Sequence, residues 1–126
     1  DCDWSSDVCS SDLCAVDCGM AINPDSVQAQ MQGGIVHGLN ATLWGQQTFT
    51  AGKANRKNFN ANRMLRPSEM PQIDVVVVQS STTTPTGTGE PGVPPVAPAI
   101  ANAYARLTGK RQYTLPFFPT ATMGGL

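Results

Sequence analysis

Asn23-Pro24-Asp25-Ser26-Val27-Gln28-Ala29-Gln30-Met31-Gln32-Gly33-Gly34-Ile35-Val36-His37-Gly38-Leu39-Asn40-Ala41-Thr42-Leu43-Trp44 reads as one long helix. Asn23 can cap it, Pro24 suits the first helical position, and Asp25 complements the positive end of the helix dipole. Val27, Met31, Ile35, Leu39 and Leu43 recur every fourth position and make one apolar face, with Val36 beside them. The pattern predicts a helix from Pro24 to about Trp44. Three glycines interrupt it. Gly33, Gly34 and Gly38 each cost roughly 0.8–1 kcal/mol against alanine in a helix interior, so something has to come close to that surface. Tight packing on a sheet, a second backbone and a ligand all remain open.

Upstream, Cys14 to Gly19 reads as the end of a strand. Downstream, Gln46–Thr50 and Lys53–Asn58 flank Ala51-Gly52 as a hairpin, and Pro67 and Pro71 bracket a turn. Ile73 to Gln79 is the clearest strand, with enough consecutive β-branched residues to predict burial on both faces. A second helix is expected from Pro94-Pro95, with Ala97, Ile100, Ala101, Tyr104 and Leu107 on its packing side and Thr108-Gly109 as its end. Leu115-Pro116 is expected to close onto the core. The fold class is therefore α+β, with two main helices packed on a small mixed sheet.

The chain has 126 residues. Residues 3–13 show no apolar periodicity and resemble the translation of a sequencing-adapter oligonucleotide, so residues 1–13 are set aside as not native. The authentic part is expected to start near Cys14, with residues 14–119 as domain and 120–126 as a tail. Without the first thirteen residues, eight bases stand against five acids, a net +3. That balance, with no dense Lys/Arg run, gives no footprint for nucleic acid. Lys53, Arg56, Lys57, Arg63 and Arg66 read as a solvated face. No apolar run is long enough for a membrane span. Cys14 and Cys18 have no second Cys or His pair, and read as small buried hydrophobes rather than metal ligands.

The chemistry available is narrow. Asp17, Asp25, Glu69, Asp74 and Glu90 are the acids beyond residue 13, and His37 is the single histidine. No serine sits in a nucleophile elbow and no phosphate-cradling motif occurs. Glu90 is the one ionisable side chain in the long stretch from Ser80 to Pro94, where Gly87, Gly89, Pro91, Gly92, Pro94 and Pro95 bend and restrict the backbone. By composition that stretch is a Pro/Gly-rich surface linker, or a shaped loop presenting a lone carboxylate. The Pro94-Pro95-x-x-Pro98 spacing also allows a proline-rich interaction module.

Three segments in order, Val16 to Pro24, Gln30 to Leu39 and Gly87 to Ala99, resemble the C-terminal end of the large molybdopterin-binding subunit of the xanthine dehydrogenase and aldehyde oxidoreductase family. Met70-Pro71-Gln72-Ile73 and the Pro-Pro-Val-Ala-Pro run are most similar to its isoquinoline-oxidising branch. The resemblance spans nearly everything from Cys14 to Pro116. It implies a fragment of a molybdenum hydroxylase acting on an N-heterocycle or an aldehyde, with Glu90 as general base. It further implies cofactor contacts from Gln30, Gly33, Gly34, Thr88 and Gly89, and no metal ligand from the protein. The implied cofactor is molybdenum-molybdopterin in its cytosine dinucleotide form, and the implied partner is a small subunit carrying iron–sulfur clusters. The compartment stays open between bacterial periplasm and cytoplasm. The alternative is a non-catalytic fragment.

Overall fold

Asn23 caps α1 (Pro24–Leu43) as its sequence requires: its backbone is extended, and its side-chain oxygen accepts from the Ser26 N–H at 3.2 Å. The computed structural model describes residues 11–78, 81 and 83–119. Most of the segment set aside as not native, and the tail from 120 to 126, therefore lie outside the described residues.

The chain runs β1 (Ser11–Val16), α1, β2 (Phe49–Thr50), β3 (Lys53–Ala54), β4 (Gln72–Val77) and α2 (Val96–Thr108), with 3-10 turns at Phe59–Ala61 and Pro67–Glu69. β1 and β4 pair in parallel, Ser11 opposite Gln72 through Val16 opposite Val77. A parallel pair needs a long crossover, and α1 supplies it. β1 starts three residues before Cys14, so Ser11 to Leu13 contribute backbone pairing. The antiparallel hairpin of β2 and β3 forms a separate sheet. It is shorter than predicted, two residues per strand, with Ala51 and Gly52 both at positive φ in its turn.

The apolar face of α1 behaves as its spacing dictates. Val27, Met31, Ile35, Leu39 and Leu43 are all buried, the last two completely. Burial of side chains of this size contributes on the order of 1.5–3 kcal/mol each, so this face dominates the folding energy. Its N-terminal half packs with Val16 and Cys18, backed by Val75 and Val77. Its C-terminal half packs with Trp44, Leu65, and Val96 and Ile100 of α2. Cys18 is buried as expected, just beyond the end of β1, and Cys14 is half-buried within it.

α1 also covers the edge of β4. Gln28 and Gln32, one turn apart, donate to the carbonyls of Val75 and Ile73 at 3.3 and 3.1 Å. At the other end of α1 the carbonyls of Thr42 and Leu43 lack helical partners. They accept instead from the backbone N–H groups of Phe117 and Phe118 at 2.9 and 2.8 Å. Buried Pro116 and these two bonds close the chain onto the core, while Leu115 stays half-exposed.

Three expectations need correction. β4 is covered on one face only: Ile73, Val75 and Val77 are half-buried toward α1, whereas Val76 is 53% exposed. A β-branched run specifies a strand, but the second face needs another layer, and among the described residues none covers it. α2 begins at Val96 rather than at Pro94, with Pro95 as its cap; Gly109, left-handed at φ 71°, ends it as predicted. Leu107 is 67% exposed and does not join the packing side, which runs through Val96 and Ile100.

The glycines of α1 divide by what faces them. A Cβ on Gly38 would lie 2.8 Å from Val96 Cγ2 and 3.0 Å from the Val93 carbonyl oxygen, whereas one on Gly33 would meet nothing within 4 Å. Gly38→Ala is expected to destabilise the fold by about 1–3 kcal/mol through overpacking. Gly33→Ala should stabilise it by about 0.5–1 kcal/mol through helix propensity. Urea unfolding followed by circular dichroism measures both signs.

Candidate functional site

The stretch that carries Glu90 is held at successive points rather than strung as a linker. The Thr86 N–H donates to the Cys18 carbonyl at 2.9 Å, tying the loop to the end of β1. Gln30 Nε2 of α1 donates to the Gly89 carbonyl at 2.8 Å. The Val93 N–H donates to the Glu90 carbonyl at 2.9 Å, closing a turn. The Val96 N–H then reaches the Val93 carbonyl at 3.3 Å and leads into α2.

Between these bonds the loop lies directly on the helix. A Cβ on Gly34 would sit 3.3 Å from Gly92 Cα, and one on Gly92 would sit 3.1 Å from the Met31 carbonyl oxygen. Two glycines thus face each other, and their missing side chains let the backbones meet. The close neighbour of Gly34 is therefore a second backbone, whereas Gly38 faces the Val96 side chain and the Val93 carbonyl. Gly34 serves the site by seating the loop.

Six residues were expected at a site. Gln30, Gly34, Gly89 and Glu90 converge, through the Gln30–Gly89 bond and the Gly34–Gly92 contact. The Glu90 side chain is exposed, as are Gln30, Gly33 and Gly89, and Thr88 is half-buried. Gly33 and Gly89 face open space. Gly92, Gly38 and the Thr86–Cys18 tie had not been assigned to the site. Their signal was the spacing of Gly34 and Gly38, which marks a helix face without side chains, together with a glycine next to Pro91. His37 is exposed on α1. Among the described residues no three His, Cys, Asp or Glu side chains could together hold a metal ion.

The proline-rich run is not extended. Pro95 is in the right-handed helical region, Gly92 and Val96 are buried, and the run is consumed by a turn and the start of α2. A polyproline ligand needs a free extended backbone, and this geometry does not supply one. A groove of about 280 Å³ runs between β1 and α2, lined in part by Asp12, Cys14, Gly92, Pro95 and Ala99. Glu90 is not part of it. Burial pushes the Asp12 carboxyl above its ordinary value.

The basic residues between Lys53 and Arg66 are not all a solvated face. Arg63 stacks over the Trp44 ring, 3.8 Å from its centroid, and pairs with Glu69 at 2.7 Å. Arg56 donates to the Trp44 carbonyl at 3.2 Å, and the Asn40 side-chain oxygen accepts from the Leu65 N–H at 2.6 Å. These contacts strap the segment before β4 to the C-terminal end of α1. Sequence pattern could not show the contacts to Asn40 and Trp44, because those partners lie at the end of the preceding helix, twelve or more positions away.

The profile of the molybdopterin cofactor-binding domain matches residues 10–71. The chain is 42% identical over 106 residues to the beta chain of isoquinoline 1-oxidoreductase from Brevundimonas diminuta, an alignment covering 84% of this chain and 13% of that protein. The chain belongs to the molybdopterin cofactor-binding domain family. It is also 34% identical over 100 residues to the B chain of nicotinate dehydrogenase from Pseudomonas putida, covering 79% of this chain and 8% of that one. A third relative is the membrane-bound aldehyde dehydrogenase [pyrroloquinoline-quinone] of Gluconacetobacter polyoxogenes, 34% identical over 111 residues, covering 88% of this chain and 14% of the other. The fold matches a Cu,Mo-CO dehydrogenase in its carbon monoxide reduced state, with a TM-score of 0.71 at 20% identity, over 82% of this chain and 14% of that one. This molybdopterin-domain segment thus spans less than a fifth of the length of each. Gln30, Gly33 and Gly34 fall inside the matched range, and Thr88, Gly89 and Glu90 fall beyond it. No helix among the described residues is long and apolar enough to cross a membrane.

Glu69 gives the strap a pH dependence. Burial raises its pKa, but the Arg66 backbone N–H, the Arg63 hydrogen bond and the two arginine charges outweigh this and hold it below the ordinary carboxylate value. A lowered folded pKa stabilises above the unfolded value, and that stabilisation is lost as pH falls through the folded one. Glu69→Gln should therefore lower stability at about pH 7, and the difference from the parent chain should vanish at acid pH below the carboxylate range. Urea midpoints across that range test it.

Proposed function

We propose that this segment belongs to a molybdenum-dependent oxidoreductase that hydroxylates an N-heterocycle or an aldehyde with oxygen from water, and that Glu90 is its general base. The observation that carries the base assignment is the double restraint on the Glu90 turn: Gln30 holds Gly89 on one side, and Gly34 seats Gly92 on the other. A base must meet its proton within roughly 2.6–3.2 Å, so it has to be mounted on something rigid. Here the mount is the most deeply buried helix of the fold.

Bound molybdopterin would supply the oxidising centre that accepts the substrate's electrons. The residues available to hold it fit that task. The Gly89 carbonyl can only accept, so the amino end of the Gln30 amide faces it and the amide oxygen is left to accept from a cofactor N–H. Gly33 leaves open space on α1 beside it, and Gly89 and Thr88 offer backbone and hydroxyl groups at the loop. Glu90 takes up the proton released as the water-derived oxygen attacks the substrate carbon.

The reading extends to the cytosine dinucleotide form of the cofactor, to a small iron–sulfur subunit as electron acceptor, and to an isoquinoline-like ring among the substrates. Two relatives are named as single chains of multi-chain enzymes, and the first relative's name prints its substrate; both support the reading. One relative's name carries pyrroloquinoline quinone instead. Molybdopterin is preferred because the matching profile covers residues 10–71 of this chain itself.

In the full-length enzyme, Glu90→Gln is expected to lower turnover by a factor on the order of 10²–10⁴ while leaving the molybdenum content unchanged. Turnover that survives would remove Glu90 from the chemistry. Elemental analysis of the purified enzyme should find molybdenum, and extraction that yields pyrroloquinoline quinone without molybdenum would overturn the cofactor assignment.

A further inference from the structure

We infer that Gln30 is a positioning residue for Glu90, acting through the Gly89 peptide; this rests on Glu90 being the base. The Gly89 carbonyl and the Glu90 N–H belong to one planar peptide unit, so a bond to that carbonyl orients the plane in which the Glu90 nitrogen lies. Gln30 Nε2 makes that bond at 2.8 Å. The next plane is fixed in the same manner, since the Glu90 carbonyl accepts from the Val93 N–H at 2.9 Å. With both planes held, φ and ψ of Glu90 are set, and so is the direction in which its side chain leaves the backbone.

The two restraints differ in origin. The Val93 bond is local to the turn and is backed by Gly92 against Gly34. On the other side Gly89 has open space around it and the conformational freedom of glycine. Gln30 thus supplies the long-range restraint on a peptide that would otherwise rotate. It sits between buried Val27 and buried Met31 on α1, so its side chain starts from a fixed backbone. Because Gln30 itself is exposed, changing it need not disturb the core.

The full-length enzyme tests this with two variants. Gln30→Met keeps similar length and removes the donor; Gln30→Lys keeps a donor and removes the acceptor. In Gln30→Met, amide hydrogen exchange of the loop from Thr86 to Val93 should accelerate while exchange in α1 and α2 does not. Turnover per bound molybdenum should fall by a factor on the order of 10²-fold, as expected when a catalytic group is misplaced by about 1 Å. Gln30→Lys should restore the slow exchange of the loop. Loop exchange in Gln30→Met equal to that of the parent, or in Gln30→Lys as fast as in Gln30→Met, would overturn the positioning role. Glu90→Gln alongside keeps the readings separate: turnover that survives there removes the base assignment, whereas loop exchange reports on the Gln30–Gly89 tie whatever Glu90 does.

Discussion

The close approach of the 92–96 segment to the side-chain-free stripe of α1 is the constraint on which the remaining structure depends. Gly34 and Gly38 lie one turn apart, and Gly92 and Val96 settle against them. Any side chain at Gly38 would push against Val96 and the Val93 carbonyl, so α2 could not keep its place beside Ile35, Leu39 and Leu43. The two helices, the larger core cluster and the position of Glu90 all follow from that one contact. The helix accepts unfavourable propensity at two positions to obtain it.

α1 serves three neighbours through three sets of residues. Its apolar stripe makes the core, its glycine stripe seats the loop, and its glutamines reach backbone carbonyls. Gln28 and Gln32 cover the edge of β4, and Gln30 holds the loop. Glutamine suits this work because its amide reaches beyond the helix surface and donates to a carbonyl without adding a charge. The exposed outer face of β4 and the small share of its relatives' length that the chain spans agree with a segment whose surroundings are larger than itself.

Much of the fold was legible before any coordinates. The cap at Asn23, the five buried positions of α1, the strand before Gln79 and the glycine end of α2 each depend on residues close together in sequence. Three of the misreadings share one cause. Leu107, the outer face of β4 and the arginines around Trp44 depend on what lies across space from them, and periodicity carries no such information. For the site, the sequence marked Gln30, Gly34, Gly89 and Glu90 as separate candidates. It could not show that Gln30 touches Gly89, or that the neighbour of Gly34 is the loop itself.

The sequence by itself determined which segments are helix and strand, which face of α1 is buried, and that one carboxylate sits in a bent Gly/Pro stretch. Those are matters of local backbone preference and of side-chain period. Only the tertiary structure decided that this stretch is a restrained turn rather than a linker. Its restraints come from Cys18, Gln30 and Gly34, residues more than fifty positions upstream in the chain. A contact between residues so far apart exists only once the helix has packed and the chain has folded back over it.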